Sequence, residues 1–168
     1  MELDIGDSLY HDFQMKKIKG DIFCGEWDGI AHCCNAYHTW GAGIVVPIKK
    51  KYPSSYEADL KTPKGEVKLG DFSYAKQDDG KVVFNLYGQT GIGNNGHPLN
   101  RNCQYDFIFN SVYRVCELIE KVKKDQKFVL AFPQIGCGLA GGEWTIVEAI
   151  LTTIESKFPN IEFHVYEL

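Results

Sequence analysis

The chain has 168 residues, 44% of them hydrophobic, and a formal net charge of −4. That length and apolar content suit one well-filled core, and no Ser/Pro/Gly-rich linker divides the sequence, so one domain is expected. The acidic balance argues against a broad nucleic-acid footprint, which draws on a basic face, and no stretch has the roughly twenty apolar residues of a membrane span.

Residues 1–14 are mixed and weakly periodic and read as an N-terminal extension; the pattern of a domain begins at Met15 and runs to residue 168. β-branched and aromatic content predicts strands near 15–19, 30–34, 69–75, 81–87, 127–132 and 161–166. Helical spacing predicts helices near 43–51, 53–61, 104–124 and 143–157. Alternation of this kind implies α/β layering. The continuous apolar runs Lys81–Tyr87 and Phe128–Phe132 are expected as central strands covered on both faces. In the 104–124 helix the core-facing stripe is expected to be Phe107, Val112, Val115, Leu118, Ile119 and Val122, and in the last helix Ile146, Ile150 and Ile154.

Cys24, Cys33, Cys34, Cys103, Cys116 and Cys137 have no metal-type spacing, and the start of the chain lacks a secretory pattern, so reduced thiols in a cytoplasm are expected. Cys33 and Cys34, adjacent on a strand, should face opposite sides of a sheet. Lys49-Lys50-Lys51 reads as a solvated helix end.

Two segments carry chemistry. In Ile30-Ala31-His32-Cys33-Cys34-Asn35-Ala36-Tyr37-His38-Thr39-Trp40-Gly41-Ala42-Gly43-Ile44 an apolar run ends in a polar cluster, a glycine pair and a helical pattern. That order builds an anion pocket, because glycines let backbone N–H groups approach a phosphate and a helix start follows. Phe128–Phe132 followed by Pro133-Gln134-Ile135-Gly136-Cys137-Gly138-Leu139-Ala140-Gly141-Gly142 repeats the logic, which suggests a ligand with two phosphates. The long polar segment 88–103 is too long for a simple connection. It and the loops 35–43 and 133–142 leave strand ends and are expected to share one cleft.

These motifs, in order, resemble the macrodomain family over about residues 15–168. Gly20-Asp21-Ile22-Phe23 resembles its opening signature, His32-Cys33-Cys34-Asn35 with Trp40-Gly41-Ala42-Gly43-Ile44 its first phosphate loop, Pro133–Leu139 its second, and Phe163-His164-Val165-Tyr166 its final strand. The resemblance implies a three-layer α/β/α fold around a mixed, largely parallel six-stranded sheet, and ADP-ribose as ligand. It implies adenine recognition by Asp21 with Ile22 and Tyr166 alongside. It implies distal-ribose binding by Asn35, and diphosphate binding by backbone donors at Gly41, Ala42, Gly43, Ile44, Gly136, Cys137, Gly138 and Leu139.

With Lys51-Tyr52-Pro53 included, the chain is most similar within the family to the yeast-type ADP-ribose 1″-phosphate phosphatases, which act on a by-product of tRNA splicing. A second branch hydrolyses ADP-ribose from glutamate or DNA bases, typically with a lysine and an aspartate; Gln89 and Ala140 stand at the nearest positions here. A non-catalytic reader of ADP-ribose is the third reading. The phosphatase reading makes His32 and Asn35 the catalytic candidates, with no metal, no cofactor, no membrane partner and a monomer expected.

Each candidate also has a structural reading. His32 lies just inside a strand, where a buried structural histidine is common, although imidazole titrates near neutrality as an acid or base must. Asn35 is a turn residue or the two-sided partner of a ribose diol. Asp21 caps a turn or accepts from adenine. Trp40 is a lid or packs its loop, and Tyr87 is equally ambiguous. A thiolate role for Cys137 competes with a small loop residue, and Asp106 with a helix-start acid. His38 and His97 are expected as solvated loop residues.

Overall fold

A computed structural model describes residues 15–90, 102–138 and 140–167. The 1–14 extension, His97, Leu139 and most of the 88–103 segment lie outside the described residues. Among the described residues six strands form one sheet: β1 (Lys16–Lys19), β2 (Gly29–Asn35), β3 (Phe72–Lys76), β4 (Val82–Gln89), β5 (Phe128–Pro133) and β6 (Ile161–Glu167). Their order is β1-β6-β5-β2-β4-β3, with β3 antiparallel to β4 and every other pairing parallel. The strands fall where β-branched and aromatic content placed them, and the sheet is mixed and largely parallel as expected.

Among the described residues there are four α-helices, α1 (Val45–Lys51), α2 (Pro53–Leu60), α3 (Tyr105–Lys123) and α4 (Trp144–Glu155). Strand alternation sorts their partners. Ala31, Cys33, Phe84, Leu86, Leu130, Phe132, Phe163 and Val165 point to the face covered by α3 and α4. Ile30, Cys34, Val83, Tyr87, Ala131 and Tyr166 point to the other, covered by α1 and by Trp27, Trp40 and Tyr52. Cys33 and Cys34 therefore do separate onto opposite faces, as strand period requires. The lysines of β1 protect that edge of the sheet, and Lys17 pairs with Glu148 of α4.

Two apolar stripes match expectation in part: Val112, Val115 and Ile119 of α3 and Ile154 of α4 are buried, and the rest of each stripe is rotated. In α3 the buried set is Ile108, Ser111, Val112, Val115, Cys116 and Ile119, while Val122 is exposed. In α4 it is Val147, Leu151, Ile154 and Glu155, and Ile146 is exposed. A run of isoleucines at four-residue steps drifts off the seam, and the neighbouring Val147–Leu151 pair fits the sheet instead. Helix α2 departs further: it buries Ser55 and Asp59 and leaves Leu60 exposed. Its polar inward face seats the network beneath the site. No helix among the described residues is long and apolar enough to cross a membrane.

Candidate functional site

The carboxyl ends of β2, β4 and β5 open into one cavity of about 190 Å³. Its wall is built from three segments: Cys33, Cys34, Asn35 and Thr39; Ala42, Gly43, Ile44 and Val45; and Pro133 to Gly138 with Ala140, joined by Gln89. The two glycine segments thus face each other across a strand-end crevice, the usual ligand position in an open α/β sheet. Backbone N–H groups of Ala42, Gly43 and Ile44, and of Gly136, Cys137 and Gly138, donate to no acceptor among the described residues. An anion cradle needs donors in that condition. Gly43 and Gly136 have φ of 80° and 74°, the left-handed region glycine tolerates, which lets each loop turn tightly at the cavity wall. Gly41 is exposed and adjoins this wall without lining it.

Asp21, Ile22 and Tyr166 come together elsewhere, beyond the carboxyl ends of β1 and β6. The Asp21 carboxylate caps the 3-10 turn Ile22–Cys24, its Oδ1 accepting from the Phe23 N–H at 2.9 Å. Ile22 is buried, and its carbonyl accepts from the Trp27 indole at 2.7 Å. Tyr166 is pressed so closely on Gly25 that a Cβ there would lie 2.0 Å from its hydroxyl. The sheet order β1-β6-β5-β2-β4 therefore gives the crevice a direction. Asp21 and Tyr166 lie outside its wall, on the side of β1 and β6, while Asn35, Thr39 and Gln89 line it on the side of β2 and β4.

Asn35 lines the cavity, but its amide is engaged within its own loop. Nδ2 donates to the Thr39 carbonyl at 2.8 Å and to Thr39 Oγ1 at 2.7 Å, while Oδ1 accepts from the N–H of Tyr37 at 2.9 Å. This is an Asx-type turn, so the structural reading of Asn35 is realised in full. Cys137 also lines the wall; its thiol donates to the Ile135 carbonyl, and burial pushes it up to about 11, away from thiolate chemistry at neutral pH.

His32 does not reach the cavity wall. It is fully buried on the opposite face of β2 from Cys33, edge-on to Trp40 with centroids 5.3 Å apart. Its Nε2 lies 2.7 Å from Asn85 Oδ1, and Asn85 Nδ2 donates to the Ser55 carbonyl at 2.8 Å and to Ser73 Oγ at 2.9 Å. A carbonyl can only accept, so the Asn85 NH₂ must face Ser55, and His32 Nε2 must carry the proton donated to Asn85. Burial pushes the imidazole down to about 4, so it is neutral at physiological pH.

The residues that sequence reasoning missed sit beside it. Asp59 accepts from the Trp40 indole at 2.8 Å, the Tyr87 hydroxyl at 2.7 Å and the Lys68 ammonium at 3.2 Å, all buried. Lys68 also donates to Thr62 Oγ1 at 2.8 Å, and Tyr87 shares a 2.7 Å bond with Ser73. Since Asn85 donates to Ser73 and Tyr87 donates to Asp59, the Ser73 hydroxyl donates to Tyr87. A lone Asn85 inside an apolar strand, in register with His32, was the available signal. Trp40 packs and anchors its loop here, and Tyr87 belongs to the network. His38 takes φ of 60°, with Nε2 3.0 Å from the Thr62 carbonyl, so it is held in the loop.

No family model matches the chain. Among characterised relatives, the human ADP-ribose glycohydrolase OARD1 is 30% identical over 153 residues, covering 90% of each chain. The ADP-ribose 1″-phosphate phosphatase of Candida albicans is 26% identical over 155 residues, covering 89% of this chain and 96% of the relative. An uncharacterised 17.5 kDa protein of phage T4 is 38% identical over 150 residues, 85% of this chain and 91% of the phage protein. Of solved structures, a Bacteroides thetaiotaomicron protein superposes with a TM-score of 0.76 at 28% identity, covering 92% of this chain and 100% of that one. The macrodomain of Mycobacterium tuberculosis DarG gives 0.73 at 21% identity, covering 92% and 99%. Full-length similarity to these relatives, a shared sheet and two glycine loops over one strand-end crevice agree: the chain belongs to the macrodomain family.

Proposed function

We propose that this macrodomain binds ADP-ribose and hydrolyses the terminal phosphate of ADP-ribose 1″-phosphate. The observation that carries the reading is the pair of opposed glycine loops, Ala42–Ile44 and Gly136–Gly138, over one crevice at the strand ends. Asp21, Ile22 and Tyr166 take the adenine end. The backbone donors of Gly41 to Ile44, and of Gly136 to Leu139 in the second loop, take the diphosphate, and Asn35 with Thr39 borders the distal ribose. In the reaction a water oxygen adds to phosphorus, the bond from phosphorus to the 1″ oxygen breaks, and that oxygen takes a proton, giving ADP-ribose and inorganic phosphate. Backbone donors around the phosphoryl oxygens stabilise the charge that develops on them. His32 enters this reading as a positioning group, because a neutral, fully buried ring behind the wall can neither touch the phosphate nor exchange protons with solvent. Asn35 acts by shaping the loop that faces the reacting end.

A second reading, removal of ADP-ribose from a protein or nucleic acid, is favoured by the similarity to the human glycohydrolase. Against it, Gln89 and Ala140 line the cavity where that branch is expected to place a lysine and an aspartate. An amide and a methyl group supply neither an amine nucleophile nor a carboxylate. The test is to incubate the protein separately with ADP-ribose 1″-phosphate and with ADP-ribosylated protein and DNA, following phosphate and free ADP-ribose. Phosphate release is expected from the first; free ADP-ribose only from the others would overturn the phosphatase reading in favour of the second. Tight ADP-ribose binding with no product from any of them leaves a reader.

A further inference from the structure

We propose that Thr39 is a specificity-determining contact for the distal end of the ligand, its hydroxyl aimed into the crevice by Asn35. The inference rests on the ADP-ribose reading above and assigns the distal contact to a residue outside the family signatures.

The Asn35 amide has two N–H groups and two lone-pair sites, and all four are used within its own loop. The bonds to Thr39 O, Thr39 Oγ1 and the Tyr37 N–H are joined by a longer one from the Thr39 N–H at 3.4 Å. While the loop holds this shape Asn35 has no capacity left for a ribose hydroxyl. Thr39 is in the opposite condition. It is exposed, it lines the same wall, and its Oγ1 already accepts one N–H, while its own O–H meets no acceptor among the described residues. With one lone pair held by Asn35, the hydroxyl hydrogen is confined to the remaining directions around the oxygen.

The loop is held on both sides of Thr39. Before it, His38 is fixed in the left-handed region with its ring against the Thr62 carbonyl. After it, Trp40 is buried and bonded to Asp59. A hydroxyl presented from a backbone fixed in this way is pre-organised, so little ordering is lost when a ligand oxygen takes its hydrogen. Thr39 lines the cavity beside the ends of β2 and β4, on the opposite side of β5 from β6 and β1, where Tyr166 and Asp21 lie. A ligand lying with its adenine at Asp21 brings its distal ribose, or the substituent on it, to this hydroxyl.

Calorimetric titration of the full chain with ADP-ribose and with ADP, which lacks the distal ribose, tests the assignment in wild type, Thr39→Val and Thr39→Ser. Valine keeps the volume and removes the hydroxyl; Thr39→Ala repeats the comparison without added bulk. Both are expected to weaken ADP-ribose by about fivefold to tenfold, the worth of one hydrogen bond, and to leave ADP within about twofold, with serine near wild type. Unchanged ADP-ribose affinity overturns the proposal. So does an equal loss for both ligands, since the hydroxyl would then serve only the loop. Wild type failing to bind ADP-ribose at all overturns the ligand reading beneath it, a result distinct from either.

Discussion

The indole N–H of Trp40 donates to the buried carboxylate of Asp59 at 2.8 Å, tying the loop that borders the cavity to the last turn of α2. A carboxylate at a helix C-terminus opposes the helix dipole, and a buried ion pair contributes little net stability, so neither effect accounts for Asp59. What it does is collect three donors from three segments, Trp40, Lys68 and Tyr87, and so hold the loop to the sheet.

Asp59→Ala is therefore expected to cost about 3–5 kcal/mol, because it leaves the Lys68 ammonium buried without its charge partner. The double variant Asp59→Ala, Lys68→Met should recover part of that loss, since no charge then remains. Urea unfolding of the two proteins checks this, and a double variant less stable than the single one would show that the pair is not the source of the cost.

How legible this was differs between the loops and what lies beneath them. Strand and helix positions follow from local composition and period, so they could be placed from the chain alone, as could the glycine segments, whose conformational freedom is a property of the residue. Asn35 and His32 were visible as polar residues at a strand end, but their roles depend on where Thr39 and Asn85 lie in space. Asp59 and Lys68 are nine residues apart on separate elements, and nothing local announces that both are buried. In α4 the stripe moves from Ile146 and Ile150 to Val147 and Leu151, and in α3 Val112, Val115 and Ile119 face the core as expected while Val122 turns out, because adjacent apolar residues compete for the seam and only packing decides.

His32 gives a pH signature opposite to that of a catalytic imidazole. Its folded-state value, about 4, lies below its ordinary value of 6.5, so the unfolded chain binds the extra proton between these limits. Stability is then full above about pH 6.5 and falls as the pH drops toward 4, by roughly 2 kcal/mol at pH 5 from this group. His32→Gln, whose amide can still donate to Asn85, should flatten that part of the profile. Because Glu155 changes with the opposite sign over the same range, the readout is the difference between the two proteins: a His32→Gln profile that runs parallel to wild type from pH 8 to pH 5 would refute the assignment of a buried neutral ring.

Glu155 has the reverse sign. At the end of α4 its Oε2 accepts from the Phe163 N–H at 2.7 Å while Oε1 is buried with no partner among the described residues. Burial, with help from Glu162, raises its carboxyl to about 7 from 4.5. The protonated form is favoured by folding, so this contribution is complete below about pH 4.5 and is lost as the pH rises through 7. Glu155→Gln keeps the acceptor for Phe163 and removes the charge. It is expected to be more stable than wild type by roughly 1–3 kcal/mol at pH 8 and nearly equal to it at pH 4.5. Paired unfolding curves at the two pH values decide, and a gain that is the same at both would point to packing instead of charge.

The two left-handed glycines should separate backbone strain from steric conflict. At Gly43 a Cβ would meet nothing within 4 Å among the described residues, so Gly43→Ala carries the conformational penalty, about 1–2 kcal/mol. At Gly136 the same Cβ would lie 2.9 Å from Ile108 Cδ1 and 3.0 Å from Cys103 Sγ, both buried in the core beneath the loop. Gly136→Ala therefore adds overpacking to strain and is expected to lose roughly 1–3 kcal/mol more than Gly43→Ala. Ile108 and Cys103 are both fully buried, so relief of that conflict must repack their side chains or shift the second loop. ADP-ribose affinity should fall with Gly136→Ala through the displaced N–H donors of Cys137 and Gly138. Equal stability losses for the two variants would mean that the second loop yields freely and is not braced by the core.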